Sequence, residues 1–266
     1  MSAADAARPA LFAAERQQRV LTELAQRGRV EAAALAAQLE VSTESIRKDL
    51  ATLEERGLLT RVHGGAIPVR QLTFEPLIGQ RTEHSAEKLA IATAALAHVD
   101  PAASVLIDAG STTAALAALM PSDHTGLVCT NSLPIALTLA ERGITGLHIL
   151  GGAVRRRTLA GVGRTTLDGL AAVNVDVAFL GTNGISLTRG LTTPDEDEAL
   201  VKNRMLATAR RRILLADSAK FGLESLCQHA TLSDIDVLIT DAGVSQRDVE
   251  HLTAQGVEVL IAGGFE

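Results

Sequence analysis

The chain is poor in aromatic residues, with no Trp, no Tyr and five Phe among its 266 residues. Stacking platforms for single-stranded nucleic acid are built from aromatic side chains, so the composition argues against that class of binding protein. Hydrophobic residues still make up 47% of the chain. We therefore expect an aliphatic core, in one large domain or in a small domain followed by a medium one.

Cysteine is also scarce, and long apolar runs are missing. Cys129 and Cys227 are the only cysteines, and neither has Cys or His neighbours at ligand spacing, so neither a zinc site nor a disulfide framework is expected. A reduced, cytoplasmic setting is predicted. No apolar run reaches the ~18 residues of a membrane span. Residues 1–14 lack the layout of a signal peptide and are expected to form a loose tail.

Excess positive charge is lacking as well. The net charge is −6, and residues 1–70 hold ten Lys and Arg against nine Asp and Glu. Overall charge therefore does not predict binding to nucleic acid, and any basic surface must be local.

The stretch 41–53 has one apolar and one cationic side. Ser42 is a favourable N-cap, and apolar residues recur behind it at helical spacing. Arg47 and Lys48 fall on the opposite side, close to small hydroxyl residues. Such a face suits the major groove of DNA, where Arg and Lys contact guanine edges or phosphates. The alternative is an ordinary solvated helix face.

The residues around this stretch favour the DNA-binding interpretation. A helix from Glu15 ends at Gly28, and a second is predicted over Glu31–Leu39. After the third helix, which stops near Gly57, short β-like runs flank Gly64-Gly65 and predict a hairpin. Three helices and a hairpin form a winged helix-turn-helix, placed at residues 15–68; a plain three-helix interaction module is the alternative. The candidate DNA contacts are Ser42, Thr43, Ser45, Arg47, Lys48, Arg61 and His63.

This segment resembles the DeoR family of bacterial transcription regulators. The similarity rests on a spaced series that includes Val41-Ser42, Ile46-Arg47-Lys48-Asp49-Leu50 and the run Arg61-Val62-His63-Gly64-Gly65-Ala66. The family usually has Thr and a second Arg where this chain has Ser45 and Lys48. Lys keeps the charge but lacks the two-pronged donor geometry of Arg. We therefore expect Arg47 to read a base and Lys48 to contact a phosphate.

A connector without sustained periodicity is predicted at residues 69–85, and a second domain at 86–266. Within the connector, Phe74-Glu75-Pro76 is a candidate docking point onto one of the domains. In the second domain, helical patterns alternate with aliphatic runs, which predicts an α/β fold with a mainly parallel sheet. The predicted strands are Ser104–Asp108, Gly126–Thr130, Gly146–Leu150, Val175–Leu180, Arg212–Ala216, Asp236–Thr240 and Val257–Ala262.

Small polar or charged residues follow five consecutive strands, where ligands of open α/β sheets bind. The first of these turns precedes a helix, whose N-terminus is a ready anion site. Together they predict a small, anionic, polyhydroxylated ligand; for any single turn an ordinary polar loop is the alternative. The candidate residues from these turns are Asp108, Gly110, Ser111, Thr112, Thr113, Asn131, Ser132, Gly151, Gly152, Arg155, Gly181, Gly184, Asp217 and Lys220.

This half resembles the sensor domain of the DeoR family, which is similar in fold to ribose-5-phosphate isomerase and the coenzyme A transferases. The likeness includes Asp108-Ala109-Gly110-Ser111-Thr112-Thr113 and Asp217-Ser218 with Lys220-Phe221. It implies phosphorylated sugars as effectors and adds Thr193 and Lys202 to the candidate effector residues. Ala219 stands where the family often has a second Ser, a departure that could alter which sugar fits.

These observations predict a repressor of a carbohydrate-utilisation operon whose affinity for double-stranded operator DNA responds to a phosphorylated sugar. We expect a homodimer or tetramer, since one such domain makes few DNA contacts, and no cofactor, catalytic residue or metal. The acidic run Asp195-Glu196-Asp197-Glu198 is interpreted as a solvated helix start rather than a metal site.

Two alternatives belong to other classes. The first is a sugar-phosphate isomerase with Asp108 or Asp217 as base and Lys202 or Lys220 as electrostatic partner, in which the fused winged domain would have no role. The second is a protein-interaction module, which would not require polar strand ends.

Overall fold

The computed structural model describes residues 13–27, 30–56, 58–62, 64–68 and 72–263. The chain divides into two compact units, Met1–Gln71 and Leu72–Glu266. Most of the predicted tail, together with Gly57 and His63, lies outside the described residues.

The first unit contains the three predicted helices and the predicted hairpin. Its elements are α1 (Ala13–Arg27), β1 (Val30–Glu31), α2 (Ala32–Gln38), α3 (Thr43–Glu55), β2 (Leu59–Val62) and β3 (Gly65–Pro68). The strands pair antiparallel in the order β1-β3-β2. Strand β1 was not predicted, because two residues are too short to show alternation.

The hairpin turn requires glycine at two successive positions. Gly64 has a φ of +80°, a left-handed conformation that other residues rarely adopt. A Cβ on Gly65 would lie 1.9 Å from the carbonyl oxygen of Val30. The close approach of β1 to β3 therefore depends on Gly65.

Apolar faces of the three helices meet in one core. Val20 and Leu24 come from α1, Leu35 from α2, and Ile46 and Leu50 from α3. All five are buried. The helical spacing that predicts α3 therefore also identifies the face it buries.

The second unit is built on one long sheet with smaller pieces attached. Its strands are β4 (Val105–Ile107), β5 (Val128–Thr130), β6 (Leu147–Ile149), β7 (Ala153–Arg155), β8 (Ala160–Val162), β9 (Val175–Leu180), β10 (Gly184–Ser186), β11 (Gly190–Thr193), β12 (Ala209–Leu215), β13 (Cys227–Ala230), β14 (Val237–Asp241) and β15 (Glu258–Ala262). Its helices are α4 (Ser85–Ala95), α5 (Ser111–Leu119), α6 (Leu133–Glu141), α7 (Arg164–Ala171), α8 (Glu196–Thr208) and α9 (Gln246–Ala254).

Seven strands form a parallel sheet in the order β15-β14-β12-β9-β4-β5-β6. They are the seven strands predicted from the sequence. The chain moves from β4 outward through β5 and β6, then returns to place β9 on the other side of β4. The direction reverses between β4 and β9, which makes this crevice the expected ligand position.

The two faces of the sheet pack against two separate cores. Leu106 and Ala178 point into one of them, and their neighbours Val105, Ile107 and Phe179 point into the other. Since parallel strands are buried on both faces, they appear in sequence as continuous aliphatic runs.

Two short antiparallel pieces lie beside the main sheet and were not predicted. Strands β7 and β8 form a hairpin, and β10, β11 and β13 form a three-stranded sheet. These pieces flank the ends of β6 and β9, and Arg155 belongs to the first of them. In the described part of the chain, no helix is long and apolar enough to cross a membrane.

Part of the predicted connector belongs to the second unit. From Leu72 onward, residues form hydrogen bonds with loops of the second unit: the Leu226 amide donates to the carbonyl of Leu72 at 3.0 Å, and the Ile78 amide donates to that of Arg157 at 2.8 Å. Lys88 of α4 fixes the end of the segment by donating to the carbonyls of Arg81 and Glu83.

Candidate functional site

The third helix of the first unit presents cations to solvent. Ser42 caps α3, its Oγ accepting from the Ser45 amide at 3.1 Å. Arg47 and Lys48 are exposed on the side away from the core, and Arg47 lies 3.8 Å from Glu44. An exposed ion pair of this kind is worth at most about 1 kcal/mol. Arg47 can therefore exchange Glu44 for a base edge or a phosphate at little cost.

Asp49 links α3 to α1 through polar contacts. Its buried carboxylate pairs with the guanidinium of Arg16 and accepts from Gln17 Nε2 at 3.1 Å. The hydrogen bond to Asp49 raises the pKa of Arg16, against the opposing effect of burial. The direction in which α3 points its cations is thus fixed by a buried charge pair.

Two further candidate contacts lie near the wing. Arg61 of β2 is half exposed; its amide donates to Glu54 Oε1 at 2.8 Å, and its guanidinium lies 3.8 Å from the same carboxylate. Thr43 is half-buried in the first turn of α3. The position predicted for His63 lies outside the described residues.

A buried ion pair occupies the crevice between β4 and β9. Asp108 follows β4 and pairs with Lys202 of α8; the two side chains are 2% and 6% exposed. Lys202 Nζ also donates to the Gly181 carbonyl at 2.9 Å, and the Gly181 amide donates to Asp108 Oδ2 at 3.0 Å. Three of the predicted effector residues therefore meet at the point where the strand order reverses.

A small cavity adjoins this pair. Its volume is about 10 Å³, room for one water molecule. Asn131 follows β5 and donates to the Gly161 carbonyl at 3.0 Å, while its Oδ1 is buried without a partner among the described residues. The lining consists of Asp108, Ala109, Asn131, Ala160, Glu198, Val201 and Lys202.

Arg155 lies among three carboxylates. It pairs with Glu75, with Asp195 at 2.9 Å and with Glu198 at 3.3 Å, and its side chain is 15% exposed. Burial alone would lower the pKa of its guanidinium, but Glu198 and Glu75 outweigh it and raise the pKa. Arg155 thus stays charged in a largely desolvated place.

Glu75 is the main feature that sequence reasoning missed. It lies within the predicted connector, yet its side chain is fully buried between Arg81 and Arg155, and Asn183 Nδ2 donates to it at 3.0 Å. Burial favours the neutral form, but the two cations more than offset this and lower the pKa of Glu75. Phe74-Glu75-Pro76 is a candidate docking point of the connector, but its flanking residues show no periodicity, so the sequence does not predict the burial of the Glu75 carboxylate.

Glu198 departs from the prediction of a solvated helix start. Asp195 does cap α8, accepting from the Glu198 amide at 3.1 Å. The Glu198 side chain, however, is buried and accepts from Thr158 and from Thr193 Oγ1. Burial, then the charge of Glu75, raises its pKa. A signal was present: Glu198 shares one helical face with Val201, Lys202 and Met205.

The first turn of α5 follows directly on Asp108. Gly110 is its N-cap and, lacking a side chain, leaves the first-turn amides uncapped. Thr112 and Thr113 are buried, Ser111 is half-buried, and Thr113 Oγ1 donates to the Gly110 carbonyl at 3.1 Å. The predicted anion turn is therefore next to the ion pair.

Several other predicted effector residues have local structural roles. The Ser132 hydroxyl caps α6, accepting from the Ile135 amide at 3.4 Å. Gly152, which follows the exposed Gly151, has a φ of +153°, and a Cβ there would lie 2.2 Å from Thr166 Oγ1. A Cβ on Gly184 would lie 2.3 Å from the carbonyl of Leu223. These roles account for Ser132, Gly152 and Gly184 without a ligand.

Asp217 and Lys220 follow β12, one strand beyond β9. Asp217 is 1% exposed, and neither of its carboxylate oxygens has a hydrogen-bond partner among the described residues. Its charge opposes the lowering of the Lys88 pKa by burial. Lys220 is half-buried in the turn Ser218–Lys220. Both lie at the carboxyl edge of the sheet but farther from the crevice than Asp108.

Comparison with known families identifies both units. The family model of the DeoR-like helix-turn-helix domain matches residues 16–71, and that of the DeoR C terminal sensor domain matches residues 83–242. The chain belongs to the DeoR family of transcription regulators. It is a DNA-binding regulator, and the isomerase alternative is set aside.

Named relatives cover nearly the whole chain. The HTH-type transcriptional regulator GlpR of Haloferax volcanii is 38% identical over 94% of this chain and 98% of its own length. The putative aga operon transcriptional repressor of Escherichia coli O157:H7 is 35% identical, covering 94% of both chains. The transcriptional repressor GlcR of Bacillus subtilis is 33% identical over 94% of this chain and 97% of its own length.

Solved structures offer only a distant likeness. Ribose 5-phosphate isomerase A from Methanocaldococcus jannaschii aligns with a TM-score of 0.38 and 18% identity, over 50% of this chain and 53% of that chain. At this level the likeness supports no conclusion about ligands or chemistry.

Proposed function

We propose that this DeoR-family regulator is a repressor of a carbohydrate-utilisation operon, and that a phosphorylated sugar controls its affinity for the operator. The observation that carries the proposal is Arg155, a charged guanidinium held at the carboxyl edge of the sheet near the buried Asp108–Lys202 pair. Arg donors suit phosphate, and carboxylate and amide oxygens suit sugar hydroxyls. Two relatives named as repressors support the sign of regulation.

The effector would bind across the crevice between β4 and β9. Arg155 and the first turn of α5 supply donors for phosphate. Asp108 and Asn131 would accept from hydroxyls, and the buried Asn131 Oδ1 is an acceptor without a partner among the described residues. A cavity of about 10 Å³ is far below the ~300 Å³ of small ligand pockets. This cavity alone is therefore too small to hold a sugar phosphate.

Regulation requires that the effector bind the DNA-competent and DNA-incompetent arrangements with different affinity. We propose a homodimer or tetramer, because paired recognition helices contact half-sites about 34 Å apart, or multiples of that distance. A reorientation of paired α3 helices by the effector would then misplace one half-site contact.

A mobility-shift assay on the DNA upstream of the chain's own operon tests this proposal. The assay is run with the full chain, with and without a panel of sugar phosphates, and the matching unphosphorylated sugars are the control. We expect a sequence-specific shift that one sugar phosphate weakens and its free sugar does not. If no sugar phosphate alters the shift, the proposed class of effector is wrong. If a sugar phosphate strengthens operator binding, the proposed direction of its action is wrong.

A further inference from the structure

The site around Arg155 already contains a carboxylate from this chain. Glu75 is the one buried residue of the segment 72–81; the others are exposed or half-buried. Its Oε1 accepts from Arg81 and from Asn183, and its Oε2 accepts from Arg155. Two guanidinium groups and an amide NH₂ converge on one anion.

This donor set is the one that a phosphate group would use. Guanidinium groups bind carboxylates and phosphates through the same parallel N–H donors. A buried carboxylate is held only if its charge is compensated, and Arg81 and Arg155 provide that compensation. An anion entering the site would need the same cations and could not share them with Glu75.

We propose that Arg81, Arg155 and Asn183 form an anion site for a phosphate group, and that Glu75 occupies it as an internal ligand until phosphate displaces it. The inference rests on the proposed function and extends it, since it names the group with which the effector competes.

Displacement has a direct structural consequence for the segment 72–81. Glu75 is its buried anchor. The segment is also held by backbone hydrogen bonds of Leu72 to Leu226 and Ile78 to Arg157, and by the Arg157 guanidinium, which donates to the Glu75 carbonyl. At its far end, Lys88 fixes the carbonyls of Arg81 and Glu83. Because Lys88 fixes the backbone at Arg81, which stays in the site as a phosphate ligand, release would be confined to residues 72–80, which follow directly on Gln71, the last residue of the first unit.

The exchange keeps the charges of the site compensated. Glu198 lies against the same Arg155, and Glu75 is a source of electrostatic repulsion for it. A phosphate that replaces Glu75 carries at least the same negative charge, so this repulsion remains. Arg81 and Arg155 stay paired with an anion before and after the exchange.

The first experiment measures binding of inorganic phosphate to the full chain by calorimetry, in wild type, Glu75→Gln and Glu83→Gln. Glu83 lies on the neighbouring stretch with an exposed side chain, so it controls for charge alone. We expect phosphate to bind Glu75→Gln about tenfold more tightly than wild type, because the competent site is no longer occupied, and Glu83→Gln to match wild type. Equal or weaker binding to Glu75→Gln overturns the inference.

The second experiment needs no variant and stands even if Glu75→Gln fails to fold. Hydrogen exchange of the wild-type chain is followed by mass spectrometry on peptides covering residues 72–81, with and without phosphate. Faster exchange at Ile78 and its neighbours on phosphate addition supports displacement. Unchanged or slower exchange means that Glu75 stays in place and refutes it.

The two proposals can fail separately. If a sugar phosphate weakens operator binding but Glu75→Gln does not change phosphate affinity, the regulatory function is supported. In that case the role of Glu75 as an internal ligand is refuted. If phosphate displaces Glu75 but no sugar phosphate alters operator binding, the anion site stands and the proposed effector falls.

Discussion

Arg47 and Lys48 are adjacent in sequence and both exposed on α3, yet their donor geometries differ. A guanidinium can bind both acceptors of a guanine edge, whereas an ammonium behaves as a point charge. From this difference we predict that Arg47 reads a base and that Lys48 contacts a phosphate.

Arg47→Ala is expected to remove about 1–3 kcal/mol of the discrimination between operator and other DNA. Lys48→Ala should weaken binding to all DNA sequences alike and reduce the slope of log binding constant against log salt concentration by about one. Both side chains are exposed, so folding should change by less than ~0.5 kcal/mol. Salt-dependent titrations of operator and scrambled DNA would measure both effects. Phosphate-induced thermal stabilisation should survive in Arg47→Ala; its loss would show that the two sites are not separable as proposed.

Lys220 provides the complementary test in the second unit. Lys220→Ala should keep operator binding within twofold and weaken the response to the effector about tenfold, the effect of losing ~1.4 kcal/mol of phosphate contact. Arg155→Ala should do the same, but it also leaves three carboxylates without this partner. An unchanged effector response of Lys220→Ala in mobility shifts would remove Lys220 from the proposed pocket.

Glu198 makes stability depend on pH in a predictable direction. Its raised pKa means that the folded chain keeps a proton that the unfolded chain releases above the ordinary value of 4.5. Its contribution is complete below pH 4.5 and is lost as pH rises toward the raised pKa. Glu75, with a lowered pKa, acts in the opposite sense and only below 4.5.

Urea unfolding at a series of pH values from 4.5 to neutrality should therefore show a smaller fall in stability for Glu198→Gln than for wild type. His229, whose pKa burial lowers well below 6.5, titrates in the same range but is common to both proteins. Parallel pH profiles for the two proteins would contradict the assignment.

At the scale of elements, the orientation of α3 depends on the Asp49–Arg16 pair as well as on the hydrophobic core. Removing one partner of a buried pair leaves the other charge uncompensated, at a cost of about 3 kcal/mol. Asp49→Asn should lower the stability of the first unit by that order and speed amide exchange in both α1 and α3. Glu44→Gln, a change on the exposed side of α3, is the control; equal exchange in the two variants would disprove the anchoring role.

Strands with long aliphatic runs could be predicted, whereas short strands rich in glycine, alanine and hydroxyl residues, such as β8, β10 and β11, could not. The strands of the parallel sheet are buried on both faces, so Val175–Leu180 and Val237–Asp241 stand out as aliphatic runs. The hairpin β7–β8 is short and contains exposed residues such as Val154, so its sequence shows no hydrophobic periodicity. The same contrast holds in the site, where Asp108 follows a clear strand and Glu75 lies in an irregular segment.

At the scale of the whole molecule, two units with separate cores divide recognition from sensing. If self-association comes from the second unit, the first unit alone binds one half-site without the gain from a tethered partner, which reaches about 10²–10⁴-fold. A fragment of residues 1–71 should therefore bind the operator at least ~100-fold more weakly than the full chain while preserving its sequence preference. Equal affinity in fluorescence-anisotropy titrations would show that the second unit adds no avidity.

Phe74 is 60% exposed although its neighbour Glu75 is fully buried. Because the chain contains neither Trp nor Tyr, it gives no background fluorescence when indole is excited selectively. Phe74→Trp would thus introduce a single fluorophore beside the proposed internal ligand, on a surface that tolerates a large side chain. The emission and anisotropy of this Trp would report directly, in real time and without labelling, whether the segment 72–80 detaches when an anion binds.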